Sequence, residues 1–438
     1  MKKYFGFILL IAILITACIK VPKQFEGLTP GNWRGIFILK DLRQTIITKG
    51  KDEVITTDVS TDKKYFTAPF NFSIIQNEKK ELVFEVKNAD EKIQFYPILF
   101  GKDIRTGDDT FYIDLAPYDA HIKGLFDIDQ LKGHFIVRDK KNYSIPFEAR
   151  FGQEFRFEKL PQKATIDING NWQIVFGKDS NEAFDGIGEF VQNGNQLKGT
   201  FRTETGDFRY LEGLVAGDKV KLSCFDGSHV FLFDAMMDGD SLRGIFYSGV
   251  HYQVPFVGYR SSNPILQAAD TITKIISDKP FELKFEDSEG HLVINGYPKY
   301  SNKIKIIQIT GSWCPNCKDE SEFLQSYLQS NPSDELAVFA LAFERHKERD
   351  KALERIRNYK KHMNINYPVL RAGIANRDSA SAIIPQINGI KAYPTMLFLN
   401  RKNQIVKVHT GFDGPATSMY ESFKKEFANT ISELIKSK

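Results

Sequence analysis

Residues 304–317, Ile-Lys-Ile-Ile-Gln-Ile-Thr-Gly-Ser-Trp-Cys-Pro-Asn-Cys, decide the fold of the C-terminal part of this 438-residue chain. The apolar run 304–309 predicts a buried strand, and Cys314 and Cys317 open a helix-like stretch that follows it. A cysteine at a helix start lies beside unpaired backbone N–H groups and the positive end of the helix dipole, which stabilise a thiolate. Two cysteines at this spacing can also close a small disulfide. The stretch therefore predicts thiol–disulfide exchange.

Strands and helices alternate on both sides of this stretch. Predicted strands lie at residues 281–285, 291–294, 304–309, 336–343, 367–370, 395–399 and 405–409. Predicted helices lie at residues 314–329, 347–362 and 379–384, and in a last segment with Phe423, Phe427 and Ile431 on one face. This alternation predicts a mixed sheet with helices on both faces.

Three features together resemble the thioredoxin superfamily, and within it the TlpA/ResA-like extracytoplasmic disulfide reductases. They are Trp313-Cys314-Pro315-Asn316-Cys317 between a strand and a helix, Tyr393-Pro394-Thr395 before a hairpin, and the preceding hairpin at residues 281–294. The resemblance covers about residues 280–438 and implies an α/β thioredoxin-like fold.

The resemblance also implies roles for individual residues. Cys314 is the expected exposed nucleophile and Cys317 the resolving thiol, which together form the redox-active disulfide. Pro394 is the expected cis-proline, placing the backbone of Tyr393 beside Cys314. Trp313, Tyr393, Pro394 and Thr395 are the expected substrate-binding residues.

Proton transfer at the second cysteine needs an acid–base group. Thioredoxins often have an aspartate on the strand before the active site, but this chain has Gln308 at the matching point. Glu320 matches the glutamate of ResA-like proteins and lies one helical turn after Cys317. A partly buried glutamate has a raised pKa and could take up a proton near neutral pH. The alternative is a solvated helix residue.

The region before the linker is predicted to be β-rich, because short alternating runs are separated by Gly, Asn and Asp turns. It repeats itself: Gly-Asn-Trp occurs at residues 31–33 and 170–172, and Leu-x-Gly-x-Phe at 131–135, 197–201 and 242–246. We interpret it as two related modules, each a barrel or sandwich, with a loose resemblance to lipocalins. Such a module could hold an apolar ligand, or be a filled spacer or docking surface.

These patterns predict a multidomain chain. The predicted divisions are a lipoprotein signal peptide at 1–17, β-rich module 1 at 18–160, β-rich module 2 at 161–261, a helical linker at 262–280 and a thioredoxin-like domain at 281–438. Within the linker, apolar residues at helical spacing predict one amphipathic helix over residues 265–277.

The N-terminus predicts export and lipid attachment. Lys2 and Lys3 precede an apolar stretch at residues 4–15 that is too short to span a bilayer. The following Ile-Thr-Ala-Cys resembles the lipobox of bacterial lipoproteins, which implies cleavage before Cys18 and lipid on its sulfur and amino group. An ordinary signal peptide is the alternative. No aspartate follows Cys18, so the outer membrane, facing the periplasm, is favoured over the inner membrane.

Composition limits the other possibilities. The net charge is only +4, so nucleic acid is not an expected partner. No second CxxC or histidine pair lies near Cys314, so neither a zinc site nor any other cofactor is expected. Gly311 lies where a peroxiredoxin would have threonine, so peroxide reduction is not the expected main activity. Cys224, the remaining cysteine, is expected to be a buried inert thiol.

The expected function is therefore that of a membrane-anchored periplasmic thiol–disulfide oxidoreductase. It would reduce disulfides of exported proteins and receive electrons from a membrane thiol donor. Two alternatives stay open: a thiol oxidant or isomerase of the same fold, and a ligand-binding lipoprotein with an accessory thioredoxin domain.

Overall fold

The computed structural model describes residues 27–40, 45–49, 54–58 and 65–437. It contains three large sheets that follow one another along the chain. Within the described residues, no helix is both long and apolar enough to cross a membrane.

The first sheet has nine antiparallel strands. In spatial order these are β6 (Glu91–Phe95), β5 (Leu82–Asn88), β4 (Tyr65–Gln76), β1 (Gly31–Lys40), β11 (Ser144–Phe151), β10 (Gln130–Val137), β9 (Ala120–Phe126), β8 (Asp109–Asp114) and β7 (Ile98–Lys102). Strands β2 (Thr45–Lys49) and β3 (Val54–Asp58) pair as a separate hairpin. The sheet is a meander whose ends, β6 and β7, do not pair, so it forms an open barrel.

The second sheet is a closed barrel. Its strands are β12 (Gly170–Phe176), β13 (Phe184–Asn193), β14 (Gln196–Thr203), β15 (Gly206–Asp207), β16 (Leu211–Ala216), β17 (Lys219–Phe225), β18 (Val230–Asp238), β19 (Ser241–Ser248) and β20 (Tyr252–Arg260). Pairing of β12 with both β13 and β20, and of β13 with β14, closes an eight-stranded up-and-down ring with short β15 at its margin. Phenylalanine rings fill its interior, and the stacked pair Phe201 and Phe233 has centroids 4.4 Å apart.

The predicted repeat corresponds to equivalent positions in the two sheets. Trp33 on β1 and Trp172 on β12 are both buried. Each indole N–H donates to the carbonyl four residues earlier, that of Thr29 or Ile168, at 2.9 Å. The Gly-Asn-Trp motif therefore marks the first strand of each module, and its indole hydrogen bond fixes the chain just before that strand.

The two β-modules share one core. Phe225, at the end of β17, is fully buried against the first sheet, with its ring centroid 4.8 Å from Phe37, 5.0 Å from Phe70 and 5.3 Å from Phe135. Val230, Leu232 and Tyr247 of the second module belong to the same cluster. Side chains on the outer surface of the closed barrel thus pack into the interior of the open barrel.

The predicted linker helix over residues 265–277 is wrong. Only α1 (Ala269–Ile272) is helical, and the chain is then extended, with an isolated bridge between Ile275 and Ile387. Ile276 is largely exposed, so no continuous apolar face is buried. A short helix without a buried face is unstable in water. Hydrogen bonding to the last domain holds this segment instead, since the Thr410 hydroxyl donates to that of Thr273 at 2.7 Å.

The third sheet is mixed. Its strands lie in the order β22 (Leu292–Ile294), β21 (Lys284–Asp287), β25 (Val369–Ile374), β24 (Leu336–Glu344), β23 (Ile304–Thr310), β26 (Thr395–Leu399) and β27 (Ile405–Thr410). Its helices are α2 (Pro315–Ser330), α3 (Arg349–His362), α4 (Arg377–Ile383) and α5 (Tyr420–Lys436). Strands β23, β24 and β25 are parallel, and β26 is antiparallel to β23. Apolar clusters cover both faces of the sheet. This confirms the predicted fold class, β-rich modules followed by an α/β thioredoxin-like fold.

Candidate active site

The paired cysteines lie where the central strand β23 turns into α2. Cys314 is the N-cap residue of the helix, with extended backbone, and Pro315 occupies the first helical position. The Cys317 N–H donates to the Cys314 sulfur at 3.2 Å. The two residues form a disulfide, with Cα atoms 5.2 Å apart. A reduced Cys314 at this position would have its thiolate stabilised by the same N–H group and by the helix dipole.

Cys314 is less accessible than expected. Cys317 is fully buried, as the second cysteine should be, but Cys314 is also only 5% exposed. The sequence-based expectation of an exposed nucleophile is therefore wrong for this form of the protein. The reason is the closed barrel, which packs against the active-site loop: Ser228 donates its hydroxyl to the Trp313 carbonyl at 3.3 Å.

Glycines permit this close packing. The Asn316 amide donates to the Asp207 carbonyl at 3.2 Å. Beside it, Gly206 has a φ of +139°, and a Cβ there would lie 2.3 Å from the Asn316 amide nitrogen. Gly411, just after β27, has a φ of +80°, and its Cβ would lie 2.9 Å from the backbone of Thr205. Side chains on either glycine would push the barrel away from the cysteines.

The predicted proline lies beside the disulfide. The Tyr393–Pro394 peptide bond is cis, as expected. The Cys314 sulfur lies 3.6 Å from the Tyr393 carbonyl oxygen. Thr395 is fully buried, with its hydroxyl donating to the Ala392 carbonyl at 2.8 Å, so its side chain supports the loop from inside.

Trp313 is held in one orientation. Its indole N–H donates to the Phe343 carbonyl at 2.9 Å, and the Arg345 guanidinium lies over the ring, 4.2 Å from its centroid. The Trp313 ring also makes a T-shaped contact with the Tyr393 ring, with centroids 5.3 Å apart. Trp313 and Tyr393 thus form a fixed aromatic wall beside the Cys314 sulfur.

Glu320 is fully buried on α2, so the alternative of a solvated helix residue is wrong. Neither carboxyl oxygen has a hydrogen-bond partner in the part of the chain that the structure describes. Burial raises the pKa of Glu320 to about 8, and the nearby Gln308 side chain, although it makes no regular hydrogen bond to the carboxyl, opposes this slightly. The carboxyl is therefore mostly protonated at neutral pH and still able to exchange a proton.

A buried polar network surrounds the second cysteine. The Cys317 carbonyl accepts from the Gln308 amide and from the Tyr359 hydroxyl, both at 3.3 Å. Ser321 donates to the Gln308 carbonyl oxygen at 3.1 Å and shares a hydrogen bond with Tyr359. Gln308 thus fixes the first turn of α2 at the position where thioredoxins often have an aspartate.

Sequence reasoning missed a buried arginine next to the site. Arg209, which follows β15, is paired with Asp319 on α2 and with Glu91 of the first sheet, and its guanidinium also donates to the Pro315 carbonyl at 3.3 Å. Asp226 lies 4.0 Å away. Burial raises the pKa of Asp319 to about 6, although the Arg209 charge lowers it. No local pattern indicates this cluster, because its members are distant in the sequence and resemble ordinary surface charges.

A cavity of about 730 Å³ borders Cys314. It lies between the mouth of the closed barrel and the thioredoxin-like domain. Its apolar lining from the barrel consists of Phe184, Phe208, Phe231, Phe246 and Tyr252, and Trp313, Pro315 and Tyr393 line it from the other side. The predicted site residues Trp313, Cys314 and Tyr393 therefore meet at one cavity, whereas Cys18 lies outside the described residues.

No protein-family model and no curated protein matches this chain. Solved structures that it is similar to include a thiol:disulfide interchange protein of the thioredoxin family from Chlorobium tepidum, with 18% identity over 35% of this chain and 94% of that one and a TM-score of 0.28. A thiol-disulfide oxidoreductase from Bacteroides fragilis matches with 14% identity over 34% and 99%, and a TM-score of 0.26. A DsbF homologue from Corynebacterium diphtheriae matches with 16% identity over 39% and 99%, and a TM-score of 0.27.

Proposed function

We propose that this chain is a membrane-anchored, extracytoplasmic thiol–disulfide oxidoreductase that reduces disulfides of exported proteins. The observation that carries the proposal is the position of Cys314: its sulfur caps a helix, is bonded to Cys317 and lies beside the Tyr393 carbonyl, and the residue lines a cavity. This combination supplies a stabilised leaving and attacking sulfur, a partner thiol and space for a substrate.

The reaction needs only the two cysteines and a client disulfide. The Cys314 thiolate attacks one client sulfur, the client S–S bond breaks, and the other client sulfur leaves as a thiolate that takes up a proton. The Cys317 thiol then loses its proton and attacks the Cys314 sulfur. This step releases the second client thiol and forms the Cys314–Cys317 disulfide. Two electrons pass from the cysteine pair to the client. A membrane thiol donor then supplies two electrons to reduce the Cys314–Cys317 disulfide again.

Glu320 is the proposed proton acceptor and donor for Cys317. The residues lie one helical turn apart on α2, on the same side of the helix. With a pKa of about 8, a fraction of the Glu320 carboxyl is ionised at neutral pH and can accept the thiol proton. The protonated form of Glu320, which predominates at neutral pH, can return a proton to Cys317 when the disulfide is reduced again.

A trapping experiment tests the function. In a Cys317→Ala variant the mixed disulfide cannot be resolved, so covalent complexes between Cys314 and exported proteins should accumulate and disappear with reductant. A Cys314→Ala, Cys317→Ala double variant is the matched control, since it retains the buried Cys224. If the single variant traps no more protein than the double variant, the proposal is wrong.

The direction of electron flow is tested by the reduction potential of the Cys314–Cys317 pair. A value near or below about −250 mV supports a reductase, whereas one near about −120 mV would identify an oxidant. The proposed anchor is tested separately: a Cys18→Ala variant should lose a lipid modification detectable by mass spectrometry and leave the membrane fraction. If the variant stays membrane-bound, the anchor is not on Cys18.

A further inference from the structure

The closed barrel supplies most of the apolar lining of the cavity at Cys314. Four phenylalanines and one tyrosine from the mouth of the barrel line it: Phe184, Phe208, Phe231, Phe246 and Tyr252. All belong to the ends of β13, β18, β19 and β20 or to the segment after β15. The barrel thus contributes a surface next to the reacting sulfur that the thioredoxin-like domain lacks.

The rings of this aromatic surface pack against one another and against the barrel interior. Phe246 packs against Phe208 and Phe231, with ring centroids 4.8 and 5.4 Å apart, and Phe184 stacks on Phe176 at 4.7 Å. Below them the barrel interior is already filled by rings such as Phe201 and Phe233. The cavity therefore ends at the mouth of the barrel and cannot admit a ligand into its interior. An occupant therefore lies between the mouth of the barrel and the thioredoxin-like domain.

Residues of the redox site form the opposite wall, and the cavity is also lined by the charged residues Glu182, Asp185, Glu204, Asp207, Arg209 and Arg377. Trp313, Cys314 and Tyr393 line the same cavity as Phe208 and Phe246. A group that rests on the aromatic floor would therefore be close to the Cys314 sulfur. The cavity volume of about 730 Å³ exceeds what a single sulfur needs and is within the range of sites that enclose a ligand.

We infer that this cavity binds a bulky apolar or aromatic side chain next to the reacting cysteine of a client polypeptide. The inference rests on the proposed function and specifies its substrate class. Aromatic rings on the floor offer offset and edge-to-face contacts to such a side chain, and its transfer from water into the cavity is favourable. The barrel is then the specificity module of the enzyme, and clients with polar residues around the cysteine react more slowly.

A pair of matched peptides tests the inference. Each carries one cysteine in a disulfide with 2-nitro-5-thiobenzoate, whose coloured thiolate is released when reduced Cys314 attacks the peptide sulfur. One peptide has phenylalanine on both sides of the cysteine and the other has serine. For the reduced full-length protein we expect the phenylalanine peptide to react at least tenfold faster, which corresponds to about 1.4 kcal/mol.

Two variants of the cavity should reduce this ratio to below about threefold, or less than about 0.7 kcal/mol. Phe208→Ala removes part of the floor. Ser248→Trp, at a half-buried position that lines the cavity, fills the space without removing a ring from the barrel. Phe100→Ala is the control, because Phe100 is an exposed phenylalanine on the first sheet, outside the cavity. It should keep the full ratio.

The outcomes separate the two proposals. If both peptides react rapidly but at equal rates, or if both cavity variants keep the full preference, the cavity does not select the client and the inference is wrong. If neither peptide reacts at Cys314, the proposed function fails and the inference fails with it. A preference that is lost in Ser248→Trp but kept in Phe100→Ala supports the inference even where Phe208→Ala does not fold.

Discussion

The most informative single change is Glu320→Gln, because Glu320 makes stability depend on pH. Burial raises its pKa from the ordinary 4.5 to about 8 in the folded protein. Below about pH 4.5 the carboxyl is protonated in both the folded and the unfolded states. As the pH rises above 4.5 the unfolded chain releases this proton, whereas the folded protein retains it until about pH 8. The contribution of Glu320 to stability therefore falls with rising pH throughout this window.

The size of the effect follows from the two pKa values. Each pKa unit corresponds to about 1.4 kcal/mol, so between pH 5 and pH 7.5 the wild-type protein should lose about 3 kcal/mol of stability through this carboxyl. Glutamine has nearly the same shape and does not titrate. The free energy of unfolding of Glu320→Gln, measured relative to wild type, should therefore increase by about 3 kcal/mol over the same range.

Urea unfolding of the oxidised proteins, followed by tryptophan fluorescence at pH 5 and 7.5, measures this difference. The β-modules are identical in both proteins, so their signals cancel in the comparison. Glu322→Gln is the matched control: its side chain is 52% exposed on the same helix, so the burial that acts on Glu320 is absent. If the difference between Glu320→Gln and wild type is the same at both pH values, the pKa of the buried carboxyl is not raised in the folded protein.

Three further changes test other parts of the structure. Arg209→Met leaves Asp319 and Glu91 without their buried cation and should lower the free energy of unfolding at pH 7 by about 3–5 kcal/mol; a loss below about 1 kcal/mol in urea titrations would contradict this. Phe225→Ala should cost about 3–5 kcal/mol, because its ring is fully buried in the core shared by the β-modules; calorimetry that shows an unchanged melting temperature would refute the shared core. Burial raises the pKa of the Cys224 thiol well above its ordinary value, so iodoacetamide at pH 7 should not label Cys224 in the oxidised native protein; rapid labelling detected by mass spectrometry would show that it is accessible.

The Arg209 cluster connects all three parts of the protein at the redox site. Arg209 belongs to the closed barrel, Glu91 to the open barrel and Asp319 to the helix that carries the cysteines. A buried charge cluster depends on good geometry, because an unpaired member is costly in an environment of low polarity. The cluster therefore fixes the relative positions of the three units, and with them the width of the cavity at Cys314.

Local patterns were sufficient for the strands and helices of the last domain, and for the repeat in the β-rich region. The strand at residues 304–309 could be predicted because a mostly apolar run is typical of a strand buried on both faces. The helix after it could be predicted because Phe323, Leu324, Tyr327 and Leu328 recur at helical spacing. The linker could not be predicted, since helical spacing indicates a helix only where the apolar face finds a partner. Residues 265–277 instead run along the last domain through an isolated bridge and a threonine pair.

The sequence by itself determined the local part of the chemistry: two cysteines at a helix start and a glutamate one turn later. These features depend on spacing along the chain and on the geometry of one helix. The position of Pro394 beside them was expected only from the resemblance to thioredoxins. Only the tertiary structure decided how accessible that chemistry is. The burial of Cys314, the charge cluster around Arg209 and the aromatic cavity all arise where the barrel meets the thioredoxin-like domain. Contacts between residues about a hundred positions apart leave no periodic signal, since each residue is selected by a partner that is adjacent only in space.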